Sequence, residues 1–227
     1  ISGANIIDIG GESTRPGSKT VNEKLEIKRI KFVLDKFKRK FKKTCLSLDT
    51  RKSTVMLFGI KKGVDLINDV SGFNHDKNSL KNLRKYKISK VLHHMQGTPS
   101  SMQKNPKYKN VLLDIYDYFE KNLKTKLKDS KVILDPGIGF GKTLKHNLTL
   151  ISKISLFHSL GLPILVGTSR KRFINQISGQ YDSKERIGGT LGSVIFLISQ
   201  GVQIFRVHNV KEVKQGILVF KKILINK

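Results

Sequence analysis

The sequence predicts an α/β fold built on parallel strands, and three observations lead there. Short apolar runs rich in leucine and β-branched residues recur seven times along the 227 residues. Segments of helical periodicity separate most of them, and strands that alternate with helices in this way pair in parallel through helical crossovers. Nearly every run also ends in polar residues, namely Asp8, Asp49, Asn68, His94, Asp135, Arg206 and His208. A closed (β/α)8 barrel gathers all such ends on one face, whereas an open doubly wound sheet uses only the crevice at its switch point. The alternation alone leaves both architectures open; the polar ends favour the barrel.

The first run is Asn5–Ile9. Thr20-Val-Asn-Glu23 then reads as a capping box, opening a helix with Ile30, Val33, Leu34, Phe37 and Phe41 on one face. The middle runs are Cys45–Asp49, Val64–Asn68, Lys90–His94, Lys131–Asp135 and Pro163–Gly167. Gly188–Phe205 carries no charge, but its Thr, Ser, Gln and Gly residues argue against a membrane span. It reads as a helix stopped by Gly201 and followed by a strand. The last run, Val202–His208, leads into a helix capped by Asn209 and Glu212, with Val213, Ile217, Phe220 and Leu224 on its apolar side. A barrel needs eight strands and seven are legible. Ile1–Ala4 reads as the end of a helix. The expectation is one barrel domain over residues 1–227 with about seven of eight strands present, a strand and helix lying upstream.

Lys and Arg total 44 against 17 Asp and Glu, a net charge of +27 that attracts polyanions without selectivity. The lysines are spread along the whole chain, with no basic arm and no interleaved aromatic platform, so no specific nucleic-acid partner is expected. The single cysteine, Cys45, cannot form an internal disulfide and reads as a small buried hydrophobe in a reducing compartment. No secretory segment and no membrane partner are expected.

Four loops carry chemistry. Leu134–Thr143, LDPGIGFGKT, superficially suggests a phosphate loop, but the spacing to Gly141-Lys142 is one residue short and Pro136 removes a backbone donor. Asp135 in front of the glycines is the better focus: a carboxylate at a strand end accepts paired N–H bonds from a flat heterocycle, on which Phe140 can pack. In Gly10–Gly17, GGESTRPG, Thr14 and Arg15 suit an anion. Gly167-Thr-Ser-Arg-Lys171 supplies hydroxyls, N–H groups and the Lys171 charge. Arg206 and His208 share one strand face and suit a phosphate-bearing ligand, whereas His93 reads as structural. One mouth is thus expected to hold Asp49, Asn68 and Asp135 together with Arg15, Lys171, Arg206 and His208.

These stretches, with Ile67-Asn-Asp-Val-Ser71 and His94-Met-Gln-Gly97, resemble in order the dihydropteroate synthases. The resemblance implies a TIM barrel, a cytoplasmic homodimer and a target of sulfonamides. It implies condensation of 6-hydroxymethyl-7,8-dihydropterin diphosphate with 4-aminobenzoate, releasing diphosphate in folate biosynthesis with Mg²⁺ as cofactor. By motif match, Asp49, Asn68, Met95, Asp135, Phe140, Gly167 and Lys171 would surround the pterin, and Arg206 and His208 would hold the diphosphate. Thr14, Arg15 and Pro16 would close over the site, with Ser169 near the 4-aminobenzoate carboxylate. Asp49, Lys171, Arg206 and His208 are the catalytic candidates. The Asn that binds Mg²⁺ in such proteins, and the Thr-Pro-Asp-Ser loop after it, are not in this sequence, so no metal ligand is assigned; Asn209 stands where Asp is common. A methyltetrahydrofolate methyltransferase-like barrel, which shares the Asp/Asn/Asp reader, and an inactive truncated remnant are the alternative readings.

Overall fold

Among the described residues seven parallel strands follow one another in chain order: β1 (Ile6–Gly10), β2 (Cys45–Asp49), β3 (Leu66–Asp69), β4 (Ser89–His93), β5 (Val132–Asp135), β6 (Leu165–Val166) and β7 (Ile204–Phe205). The computed structural model describes residues 3–15, 17–128 and 130–226. The first five strands form one sheet in sequential order, and β6 pairs with β7. The two sheets meet where the Leu134 amide donates to the Pro163 carbonyl at 2.9 Å and Leu134 bridges to Ile164.

The wall curls. Ile6, Cys45, Leu66, Val91, Ile133, Leu165 and Ile204, one residue from each strand, pack into a single apolar cluster. A flat sheet would hold Ile6 and Ile204 six strand spacings apart, about 28 Å; only a curved wall brings both onto it. The outer faces are equally apolar. Leu46, Leu48 and Ile67 pack under α1 (Glu23–Lys40) and α2 (Ser53–Lys61). Leu92, Leu134 and Val166 pack under α4 (Val111–Thr125), α5 (Leu144–Ser152) and α7 (Ile187–Ser199). Burial on both faces is why the strands read as continuous apolar runs. Short α3 (Ser79–Leu83) and α6 (Arg172–Ser178), a 3₁₀ segment (Ile154–Leu160) and α8 (Val210–Ile225) complete the chain.

Four local expectations need correction. The cap of α1 is Asn22, whose Oδ1 accepts from the Leu25 amide at 2.8 Å, so Thr20 caps nothing. Ile30, Leu34 and Phe37 of that helix are buried, but Val33 and Phe41 are exposed, because the sheet covers a narrower stripe than the apolar face. Asn209 does not cap α8: its Oδ1 accepts from Nε and Nη2 of Arg170 instead, at 3.3 and 2.8 Å. Only Val213 of the predicted α8 face is buried, and Leu224 is exposed. Gly201, at φ +86°, does end the helix before β7.

Phe119 is fully buried at the centre of the larger outer cluster, edge-on to Phe157 with ring centroids 5.5 Å apart. Phe119→Ala is expected to lower unfolding free energy by about 3–5 kcal/mol, read from urea midpoints; a loss below about 1 kcal/mol would show a far looser core.

Candidate active site

Side chains alternate along a strand, and the inner cluster fixes which phase faces inward. From Ile6, Cys45, Leu66, Val91, Ile133 and Ile204, a step of two residues toward the C-terminal ends reaches Asp8, Ser47, Asn68, His93, Asp135 and Arg206. Asp49 lies two further, level with Asn68 across the β2–β3 ladder. The inner wall is therefore apolar at one end and polar at the other, the polarity expected of a barrel mouth.

Asn68 is fully buried, and neither its Oδ1 nor its Nδ2 has a hydrogen-bond partner among the described residues. Asp49 Oδ1 is likewise buried and unpartnered. Burial pushes the Asp49 carboxyl up to about 8, with Asp8, Asp69 and Glu26 adding to the rise and Arg206 opposing it. Asp135 is better supplied: its Oδ1 accepts from the Gly137 amide at 2.9 Å and its Oδ2 from Arg206 Nη1 at 3.2 Å. Gly137 permits that turn. Its φ is +69°, and a Cβ there would strike the His94 carbonyl.

Arg206 is the tie across the mouth. Its Nε donates to Asp8 Oδ2 at 3.0 Å while Nη1 holds Asp135, so one guanidinium joins β7 to β1 and β5. Burial works against its charge, but Asp8, Asp135 and Asp49 outweigh burial and its pKa is raised. Lys171 precedes α6, with its Nζ 4.2 Å from the centroid of the Phe140 ring. Burial pulls its amine down to about 8, Asp135 resisting and Arg206 assisting. His208 Nδ1 lies 3.0 Å from Ser169 Oγ, which also accepts from the His208 amide at 3.2 Å. The His208 pKa is lowered, by burial first and then by the charges of Arg170, Arg15 and Lys171.

The structure thus brings Asp49, Asn68, Asp135, Phe140, Lys171, Arg206, Ser169 and His208 to one rim. Gly167 belongs there too, since a Cβ on it would touch Arg206. Met95 is half-buried in the loop after β4, Thr14 is half-buried and Arg15 exposed in the loop after β1; Pro16 lies outside the described residues. His94 does not belong to the mouth. It follows inward-facing His93 and so turns outward, its ring edge-on to Tyr118 and its Nδ1 3.1 Å from Lys142 Nζ.

His93 is the inward residue at this strand end. Its Nδ1 donates to the Val70 carbonyl at 3.0 Å, its Nε2 stands 4.0 Å from Asp135 Oδ1, and its ring meets Phe140 edge-on. Burial drives its pKa down to about 4, keeping it neutral. Strand phase is the signal that identifies it. Lys142 has no such signal: it is buried behind the glycine loop, donates to the Phe140 carbonyl at 2.9 Å, and is pulled down to about 7 by burial.

Comparison with known proteins agrees with this geometry. The family model described as pterin binding enzyme matches residues 1–208. The dihydropteroate synthase of Escherichia coli K12 is 37% identical over 227 residues, covering 98% of this chain and 79% of its own length. That of Clostridium beijerinckii is 39% identical, covering 93% and 77%. The Yersinia pestis dihydropteroate synthase, solved with a sulfonamide drug complex, superposes with a TM-score of 0.92 at 36% identity, covering 100% of this chain and 82% of that one. The Thermus thermophilus enzyme, solved in complex with 4-aminobenzoate, gives 0.88 at 33% identity, covering 98% and 85%.

The Asp49 shift has a thermodynamic consequence. Folded, Asp49 keeps its proton up to about pH 8; unfolded, it loses it near the ordinary value of 3.8. Its contribution to stability is full below about pH 4 and is lost as pH rises through about 8. Asp49→Asn removes that slope. The parent's urea midpoint should therefore fall relative to the variant's between pH 5 and pH 8, a comparison that cancels the opposite slopes of Lys142 and Lys171. Midpoints that run parallel would mean Asp49 is ionised throughout.

Proposed function

The chain belongs to the pterin-binding enzyme family, among the dihydropteroate synthases, and from that premise we propose that its mouth joins a dihydropterin diphosphate to 4-aminobenzoate through the residues gathered there. The observation that carries the residue assignment is Asn68. A buried carboxamide with neither atom partnered costs about 1–3 kcal/mol per group, and beside it Asp49 Oδ1 is unpartnered as well. A flat heterocycle with donors and acceptors along one edge satisfies all three atoms at once. Asp135 reads further donors on the same ring, and Phe140 and Met95 wall it.

The reaction then needs charge more than covalent help. The bond from the pterin methylene carbon to oxygen breaks, and diphosphate leaves with the electron pair. The cation left on the dihydropterin is stabilised by Asp135 and by Asp49 once ionised. The 4-aminobenzoate nitrogen attacks that carbon and loses a proton to solvent. Lys171, His208 and Arg206 hold the departing anion, with Thr14, Arg15 and Ser169 on the 4-aminobenzoate side. Mg²⁺ does not enter this account. Among the described residues no group of three or more His, Cys, Asp or Glu is gathered to hold a metal ion. Asp8 and Asp135 are already committed to Arg206, so the residues present do not fit such an ion.

A second copy of the chain is the partner favoured here. Leu218, Val219, Ile223 and Ile225 of α8 are exposed, an apolar area that pairing would cover. No helix among the described residues is long and apolar enough to cross a membrane, and the lone cysteine suits the cytoplasm.

Diphosphate release from the pterin substrate is expected only when 4-aminobenzoate is present; release that does not depend on it defeats the reading. Asp135→Asn should weaken pterin binding by about tenfold or more, because half of the acceptor becomes a donor; equal affinities by calorimetry would remove Asp135 from the reader. Lys171→Ala should lower kcat/KM by about a hundredfold while leaving the melting temperature nearly unchanged. A matching loss of stability would make this lysine structural.

A further inference from the structure

Four charged side chains that the reaction leaves unused are buried together beneath the loop after β1. Glu12 Oε2 accepts from Nε and Nη2 of Arg51 at 3.0 and 2.8 Å. Its Oε1 lies 3.0 Å from Lys52 Nζ, which reaches Glu26 Oε2 at 2.6 Å. All four side chains are almost wholly enclosed. Burial opposes the Glu12 charge, but Arg51, Lys52 and the Val21 N–H outweigh it and hold its pKa below the ordinary value.

Stability does not account for such a cluster, since buried ion pairs do no better than well-packed apolar side chains of the same volume. Its connections point to positioning. Glu12 Oε1 also accepts from the Val21 amide at 3.0 Å, so one carboxylate closes residues 12 to 21 into a loop. Arg29 Nη1 holds the Gly11 carbonyl at 2.8 Å just before it. Between these ends the bonds among the described residues are mostly local, including the Ser18 amide to the Arg15 carbonyl at 3.1 Å. The Ser18 hydroxyl lies 2.6 and 2.8 Å from the Ser13 and Arg15 carbonyls, and the Gly17 amide donates to the Pro99 carbonyl at 3.2 Å. That loop carries Thr14 and Arg15. Arg51 and Lys52, meanwhile, follow Asp49 by two and three residues.

We propose that Glu12 is a positioning residue: its carboxylate clamps the base of the Thr14–Arg15 loop to the strand end that carries Asp49, and so sets where Arg15 meets 4-aminobenzoate. The kinetic consequence rests on the function proposed above; the clamp itself does not. Through Arg51 and Lys52 the loop is referenced to the pterin reader rather than to solvent.

Two variants test this, Glu12→Gln and Glu12→Gln combined with Arg51→Met, the second removing the guanidinium that the first leaves unpaired. In Glu12→Gln the amides of Gly17, Ser18 and Val21 should exchange hydrogen about tenfold faster, with β1 and β2 unaffected. The KM for 4-aminobenzoate should rise about tenfold while that for the pterin diphosphate stays within about twofold. The double variant should recover melting temperature without recovering that KM. Unchanged exchange in the loop, both KM values rising together, or full recovery in the double variant would each overturn the proposal. Loop exchange decides the clamp by itself, independently of turnover, so the clamp and the proposed function fail separately.

Discussion

Arg206 holds the mouth together, and the rest of the site is arranged around what it neutralises. Its guanidinium touches Asp8 on β1 and Asp135 on β5 from its own place beyond β7. Three carboxylates, Asp8, Asp49 and Asp135, crowd one end of a curled wall, and without a cation among them they would repel one another at close range in a poorly solvated space. Even with it, Asp49 titrates far above an ordinary carboxylic acid. The arrangement is tolerable because the strands curl: apolar packing from all seven pulls the strand ends inward, and the ion pairs settle what that curvature forces together.

Much of this is legible in the sequence because strands buried on both faces leave an unmistakable record. All seven apolar runs form strands, and Cys45–Asp49 keeps its predicted limits. The runs at 163–167 and 202–208 contract at both ends to two residues each, although the Leu134–Ile164 bridge and the Arg206 N–H bond to the Val166 carbonyl carry pairing just beyond them. What fails is local and depends on tertiary contacts. Asn209 has the right chemistry for a cap, but Arg170 reaches it first. The rim position expected of His94 belongs to His93, because composition marks both and only the strand's phase separates them. Val33 and Phe41 lie on the correct helical face, yet the sheet beneath α1 ends short of them. The Glu12 cluster leaves no trace, since pairing between residues 39 apart, as for Glu12 and Arg51, has no period to detect.

The net charge of +27 gives a misleading picture of the interior. Most of the lysines are solvated, and acidic residues, although few, occupy structural positions: Glu12, Glu26, Asp69 and Asp135 are all buried. Arg51 and Lys52, taken inside, are matched by Glu12 and Glu26. Lys142 has no carboxylate partner among the described residues and lies near its titration point, so it acts as a hydrogen-bond donor that pins the Phe140 carbonyl more than as a charge.

The same reasoning assigns different parts to the cations of the mouth. Arg206 is spoken for by two carboxylates, so its field at the rim is largely cancelled. It acts chiefly as a fixed fork that orients Asp135 and offers its remaining edge to an anion. Among the described residues, Arg15, Arg170, Lys171 and His208 form no ion pair with a carboxylate. Burial lowers the His208 pKa first and the charges of Arg170, Arg15 and Lys171 lower it further, so near neutral pH this imidazole contributes hydrogen-bonding capacity more than charge. Arg15, Arg170 and Lys171 carry like charges, and their repulsion is relieved by whatever brings negative charge among them. A departing diphosphate does so at the moment its bond to carbon breaks. The carboxylates, a short distance away along the same rim, meet the positive charge that separation leaves behind. Setting cations free of carboxylate partners on one rim with Asp135 and Asp49 favours charge separation there, which is the step the proposed reaction must make easy.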